Sequence, residues 1–181
     1  MRLSGPRVTL REYEPVDAHG VLAWSADPWV TRYLTWGTGE KSGAERFVRR
    51  AGETAAQRPR DTFELAIAER DGGALVGGIR MSVRDWQHRR ADIGWVLRRD
   101  RWGRGYATEA ASLLLRFGFD FGMHRIEAEC HPDNAASARV MEKIGMRYEG
   151  RMRGTHLSAG EWTDSLLFAA LATDRAPRAT E

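Results

Sequence analysis

The stretch Trp102-Gly103-Arg104-Gly105-Tyr106-Ala107-Thr108-Glu109-Ala110 decides the fold. Immediately before it, Ile93-Gly94-Trp95-Val96-Leu97 reads as an apolar strand, and after it comes a long helical pattern. The two glycines therefore lie on a strand-to-helix turn. Backbone N–H groups can point outward there, with no side chains in the way. The helix start adds unpaired donors and the positive end of its dipole. A phosphate or pyrophosphate fits such a turn. A plain tight turn is the alternative reading.

Downstream, Ala107, Ala111, Leu114, Gly118 and Phe121 follow one another at spacings of four, three, four and three. That spacing makes one apolar helical stripe. Residues 124–130 read as a strand. Asp133 or Asn134 caps a short helix running to Lys143, which Gly145 stops. Residues 147–153 and 162–172 read as two further strands joined by a loop over 154–161. The tail from Thr173 is polar.

Upstream, residues 8–13 alternate like a strand. Glu14-Pro15-Val16-Asp17 opens a helix over 18–25, which Asp27-Pro28 ends. The aromatics Trp24, Trp29, Tyr33 and Trp36 follow closely. Core packing is the expectation for Trp24. A substrate pocket wall is the expectation for Tyr33 and Trp36, which lie beside the turn Gly37-Thr38-Gly39. A second helix spans 42–57. Strands over 62–69, 75–83 and 91–97 then form a meander, with Asp71-Gly72-Gly73 as its first turn. The order implies an α+β fold: about seven mostly antiparallel strands flanked by helices, with a β-α-β crossover in the second half. The expectation is one domain over residues 1–181, with its core at about 7–172.

Hydrophobic residues make up 42% of the 181 and charged residues 29%, the balance of a soluble globular chain. No apolar run reaches the length of a membrane span, and the first residues lack a signal-peptide core. One cysteine, Cys130, excludes an internal disulfide framework and suits a reducing, cytoplasmic setting. No His-x-x-x-His pair or cysteine cluster suggests a metal. All 28 basic residues except Lys41 and Lys143 are arginines, suited to anionic ligands, though most read as a solvated surface. No basic run interleaved with aromatics appears, so nucleic acid is not expected as a partner.

The turn Trp102–Ala107, the stretch Asn134-Ala135-Ala136-Ser137-Ala138-Arg139-Val140-Met141-Glu142-Lys143-Ile144-Gly145-Met146 and the ending Gly160-Glu161-Trp162 with Asp164-Ser165-Leu166-Leu167-Phe168 resemble the GNAT N-acetyltransferase superfamily. Within it they are similar to the ribosomal-protein N-acetyltransferase (RimJ/RimL-like) branch. The likeness runs from about residue 7 to 172. The superfamily signature is Gln/Arg-x-x-Gly-x-Gly/Ala. Gly105 and Ala107 fill its last two places, and Trp102 stands where Gln or Arg is usual.

The resemblance implies acetyl-CoA as co-substrate, without metal. Its pyrophosphate would lie on Trp102, Gly103, Arg104, Gly105, Tyr106, Ala107 and Thr108. Its pantetheine arm would pair like a strand with the backbone near Trp95, Val96 and Leu97, where the fourth and fifth strands splay apart. Asn134 and Ser137 would line the same site. The implied reaction moves acetyl to a primary amine, either a protein N-terminal α-amino group or a small molecule such as a polyamine, amino sugar or antibiotic. A longer acyl group and a homodimer are left open. A CoA-binding module without catalysis and an RNA binder are the competing classes.

Three jobs follow. The ammonium must lose a proton, the developing oxyanion needs a donor, and the leaving thiolate needs a proton. The resemblance suggests the Val96 N–H for the oxyanion and Ser137 for the thiolate. Met141 occupies the place where other branches carry a tyrosine. Local backbone capping is the alternative for Ser137. For the base, Glu129, Asp92 and His156 stand at family positions, with strand-edge or loop exposure as the alternative for each. Cys130 reads as a buried strand residue, because the family transfers acetyl directly.

Overall fold

The computed structural model describes residues 1–34, 39–158 and 160–174. Among these, eight strands form one sheet: β1 (Arg2–Ser4), β2 (Val8–Arg11), β3 (Thr62–Glu69), β4 (Leu75–Asp85), β5 (Arg90–Leu97), β6 (Arg125–Cys130), β7 (Arg147–Ser158) and β8 (Glu161–Leu171). Their spatial order is β1-β2-β3-β4-β5-β6-β8-β7, and every neighbouring pair is antiparallel except β5 and β6. The helices are α1 (Ala18–Ser25), α2 (Pro28–Thr31), α3 (Lys41–Ala56), α4 (Tyr106–Asp120) and α5 (Ala135–Lys143).

The helices cover both faces of the sheet. One core joins α4 and α5 to the sheet through Leu114, Ala110, Ala111, Met141, Ile126 and Met81. Gly118 allows the close approach of α4, since a Cβ there would lie 2.5 Å from Ile126 and 2.8 Å from the Met81 sulfur. The other core packs Ala44, Val48 and Ala51 of α3 and Val21 and Trp24 of α1 against Tyr13, Ala66 and Val96. Trp24 is fully buried, as its packing role requires.

Three elements differ from the sequence reading. The three-residue strand β1 pairs Leu3 with Leu10 and is too short for an alternation to show. The short helix α2 starts at Pro28, where a helix end was expected, because the Asp27 carboxylate caps it by accepting from the Trp29 N–H at 2.8 Å. The expected loop over 154–161 is mostly the far half of the β7–β8 hairpin. Gly154, at φ +60°, sits within a register shift between Met152 and His156, and its N–H donates to Asp164 at 2.9 Å. That arm is exposed, so its polar residues carry no apolar alternation.

The feature that positions the site is the junction of β5 and β6. They pair only from Arg90 to Asp92 against Arg125 to Glu127. Beyond that the two strands part, while β6 stays paired with β8 as far as Cys130. The backbone edge of β5 from Ile93 onward therefore faces an open V.

Candidate active site

Which β5 groups face the V follows from antiparallel alternation. The Arg98 N–H donates to the Val76 carbonyl at 2.9 Å, and on the far side of β4 the Val83 N–H donates to Asp61 at 2.7 Å. Both bonds set the same phase: even-numbered residues of β4 and β5 bond each other. Val96 thus turns its N–H towards Gly78 in the sheet, and the groups facing the V belong to Ile93, Trp95 and Leu97. The expectation of a Val96 N–H inside the cleft is corrected by one residue.

At the end of β5 the chain runs through a 3-10 turn, Arg99–Arg101, into the glycine turn. Gly103 and Gly105 take φ of +75° and +77°, and Gly105 caps α4 in the left-handed region that glycine adopts without cost. Among the described residues, the N–H groups of Gly103, Arg104, Gly105, Tyr106, Ala107 and Thr108 meet no protein acceptor. The indole N–H of Trp102, at the variant signature position, donates to the Leu97 carbonyl at 3.0 Å, so this residue ties the turn to the end of β5.

Glu109 holds the turn from behind. It accepts from the Arg7 and Val8 N–H groups at 2.8 and 3.0 Å and from Arg7 Nε at 2.7 Å, while Arg7 Nη1 donates to the Arg104 carbonyl at 2.7 Å. Burial pushes the Glu109 carboxyl up, but these bonds outweigh it and hold it below the usual carboxylate range. Tyr106 and Arg101 both donate to Glu69, at 2.9 and 2.7 Å.

A cavity of about 340 Å³ runs from this turn into the V. Arg32, Arg101, Arg139 and Lys143 line it along with the turn, Trp95, Leu97, Asn134 and Ser137. Unpaired N–H donors, four cations and an unpaired strand edge fit a nucleotide diphosphate carrying an amide-containing arm.

A second cavity of about 340 Å³ opens on the other side of the V. The two share Tyr33, Leu34, Trp95, Val96, Asn134 and Ser137. Tyr33 spans the opening: its ring stacks on His131 with centroids 5.1 Å apart, and its hydroxyl donates to the Asp133 carbonyl at 3.2 Å. Trp36, expected beside it, lies outside the described residues. The Asn134 side chain caps α5 by accepting from the Ser137 N–H at 3.2 Å. The Ser137 hydroxyl makes no hydrogen bond to the described residues, so local capping does not occupy it. Met141, one turn further along α5, is fully buried.

The three expected bases sit in different surroundings. Asp92 is clamped by two guanidiniums, Arg80 at 3.0 Å and Arg84. Glu129 and His156 come together at 3.3 Å on the rim, His156 lying within β7 and not in a loop. Burial pushes the Cys130 thiol up to about 11, so at neutral pH it holds its proton and makes a poor nucleophile.

The sequence reading missed two groups. Glu64 on β3 lines the second cavity, and burial raises its carboxyl to about 7, with Arg80 and Arg50 opposing only in part. Tyr13, 7% exposed, lines the same cavity, and its buried hydroxyl has no hydrogen-bond partner among the described residues. A signal existed: Glu64 is a lone acid in the apolar run Phe63-Glu64-Leu65-Ala66-Ile67, on the face that buries Ala66.

Residues 7–147 match the profile of the family described as Acetyltransferase (GNAT) domain. An uncharacterised N-acetyltransferase of Bacillus subtilis, YnaD, is 34% identical over 94% of this chain and 97% of its own. A GNAT-family acetyltransferase structure from Bacillus anthracis superposes with a TM-score of 0.84 at 31% identity, covering 96% of this chain and 99% of the other. A ribosomal-protein-S5-alanine acetyltransferase from Vibrio fischeri shares the fold at 18% identity and a TM-score of 0.78, with 98% of this chain and all of that one covered. Among the described residues, no helix is long and apolar enough to cross a membrane, and no cluster of three His, Cys, Asp or Glu could hold a metal. The chain belongs to the GNAT acetyltransferase family and is an acetyl-CoA-dependent acyltransferase.

Proposed function

We propose that this enzyme moves acetyl directly from acetyl-CoA to a primary amine that enters through the second cavity. The observation that carries the reading is the V between β5 and β6, which joins the N–H-lined turn on one side to the acidic and aromatic cavity on the other. The pyrophosphate rests on the N–H groups of residues 103–108, with Arg101, Arg139 and Lys143 about it. The pantetheine arm pairs with the free edge at Trp95 and Leu97. A β5 N–H facing the V, that of Trp95 by the alternation, meets the oxyanion as it develops.

Ser137 lines both cavities and its hydroxyl is free to give a proton to the departing thiolate. Glu129 and His156 act at the rim, where their pair orients the incoming acceptor. Asp92 keeps its two arginines and holds β4 to β5. Cys130 forms no acetyl intermediate.

Within the family we favour the RimJ/RimL-like branch and a protein N-terminal α-amino group, on the wording of residues 102–110 and 134–146. A small amine is the second reading, favoured by a cavity of only about 340 Å³. Thiol release from acetyl-CoA decides between them, with a panel of peptides beginning in Ala or Ser, spermidine and glucosamine. Turnover on the peptides supports the first reading and turnover on the small amines the second. Tight acetyl-CoA binding with no turnover on any amine would leave a CoA-binding module instead.

A further inference from the structure

Resting on the reading above, we propose that Glu64 is the group that takes the proton from the attacking ammonium, with the Tyr13 hydroxyl holding the intervening water or the amine itself. Neither residue belongs to the expected set of bases.

Of the expected bases, only Glu129 lines the acceptor cavity; Asp92 and His156 lie outside it. An effective proton acceptor needs a lone pair that is not already committed. Asp92 is ion-paired with Arg80 and Arg84, and Glu129 stands at the rim 3.3 Å from His156, 40% exposed to solvent. The Glu64 carboxylate makes no hydrogen bond and no ion pair to the described residues. It lines the cavity that contains Trp95 and Ser137, on the acceptor side of the V.

Register fixes its position. Glu64 lies opposite Arg80, and Arg80 lies opposite Gly94. The three share one face of the sheet; Gly94 adds no side chain, and the Arg80 side chain between them is drawn to Asp92 at 3.0 Å. Two strand spacings separate Glu64 from β5, roughly 10 Å between backbones. The side chain spans part of that, and a proton reaches it through water within the shared cavity, as a general base allows.

Tyr13 supplies the second polar group. Its hydroxyl lies over Gly78, where a Cβ would come within 2.3 Å, so the space that a side chain would fill is occupied by this oxygen. Gly78 is paired with Val96, one strand from the V. A buried hydroxyl without a partner is costly unless something meets it when the site is at work. An ammonium or a water held by Glu64 provides that partner.

The charges around Glu64 come from every packed element. Arg80 from β4 is already matched by Asp92 on β5. Arg50 of α3 is exposed and makes no ion pair among the described residues, and Asp61 precedes β3 on the solvent side. Tyr13 faces Glu64 from the segment after β2, and burial holds its phenol well above its ordinary value, so it stays protonated. Glu129 and His131 stand across the cavity. Burial keeps Glu64 near neutrality, where an acid–base group does the most for an amine at physiological pH.

The proton count closes. The nitrogen sheds two protons in becoming an amide. The first breaks an N–H bond and passes through the water to a Glu64 oxygen, freeing the lone pair for the acetyl carbon. The second leaves as the C–S bond breaks, and it ends on sulfur by way of Ser137, which gives one proton and regains one. Glu64 then returns its proton to solvent past Arg50.

The test compares Glu64→Gln with wild type on the best ammonium acceptor of the panel and on hydroxylamine, an amine unprotonated at neutral pH. The expected result is a fall in kcat/KM of about 100-fold with the ammonium acceptor, loss of the rising limb near neutral pH, and hydroxylamine rates within a few-fold of wild type. Tyr13→Phe raises KM for the acceptor more than it lowers kcat. Glu129→Gln and His156→Gln keep the limb. An unchanged limb in Glu64→Gln, or equal losses on both acceptors, overturns the assignment while leaving the enzyme's acetyl transfer intact. Absence of turnover by the wild type on every amine overturns the transferase reading itself.

Discussion

Replacing Glu64 by Gln isolates the cost of burying an ionisable group in the acceptor cavity. The folded carboxyl titrates at about 7 and the ordinary value is 4.5, so the folded state binds its proton more tightly than the unfolded one. Stability therefore falls as pH rises through this window. Two and a half pH units correspond to roughly 3 kcal/mol, most of which lies between pH 5 and 8.5. Glutamine has the same shape and no charge to bury. Urea unfolding of wild type and Glu64→Gln at both pH values gives the double difference directly. The variant should gain roughly 2–3 kcal/mol on wild type between pH 5 and 8.5, which for a chain of this size is a relative rise in Tm of roughly 5–10 °C. A difference between the two proteins that stays constant with pH, within about 0.5 kcal/mol, would refute the burial argument.

Other outcomes follow from the packing and the turn. Cys130→Ala should keep most activity and trap no acetyl-enzyme by mass spectrometry, because the thiol holds its proton at neutral pH. Gly118→Leu should destabilise by more than about 3 kcal/mol, since even a Cβ meets Ile126 and Met81 inside 3 Å; chemical denaturation reads this. Glu109→Gln should weaken acetyl-CoA binding by calorimetry, because the Arg7 and Val8 bonds that hold the turn lose their charged acceptor. In wild type the Glu109 carboxyl lies below its ordinary value, so its contribution to stability is present at neutral pH and fades as pH falls through the acid range.

Much of this was legible in the chain. The glycine turn, the helix stripe after it as far as Gly118 and the Asn134 cap rest on local chemistry, and α1 and α5 fall where their caps and stop signals put them; Phe121, expected to end the stripe, lies past α4 and is exposed. What escaped depended on distant residues. The strand β1 exists because Leu10 pairs with Leu3, and the outer β7–β8 arm because Asp164 reaches back to Arg151 and Gly154. The phase of β5 needed the bonds of β4 to both neighbours, so Trp95 and Leu97 could not be separated from Val96 by reading the strand alone. Glu129 and His156 are 27 residues apart and meet only through the sheet. Glu64 and Tyr13 became visible as a pair once one cavity contained both.

The central claim is that the turn after β5 holds the pyrophosphate of acetyl-CoA. Gly103 offers a clean probe, because a Cβ there meets nothing within 4 Å and Asp and Asn tolerate its left-handed backbone better than other side chains. Calorimetric titration of acetyl-CoA into wild type, Gly103→Asn and Gly103→Asp compares shape with charge at one position. Wild type should show one site per chain, Gly103→Asn modest weakening, and a folded Gly103→Asp a loss of at least 100-fold in affinity, about 2.7 kcal/mol or more. Equal affinity in the Asp and Asn variants would contradict it.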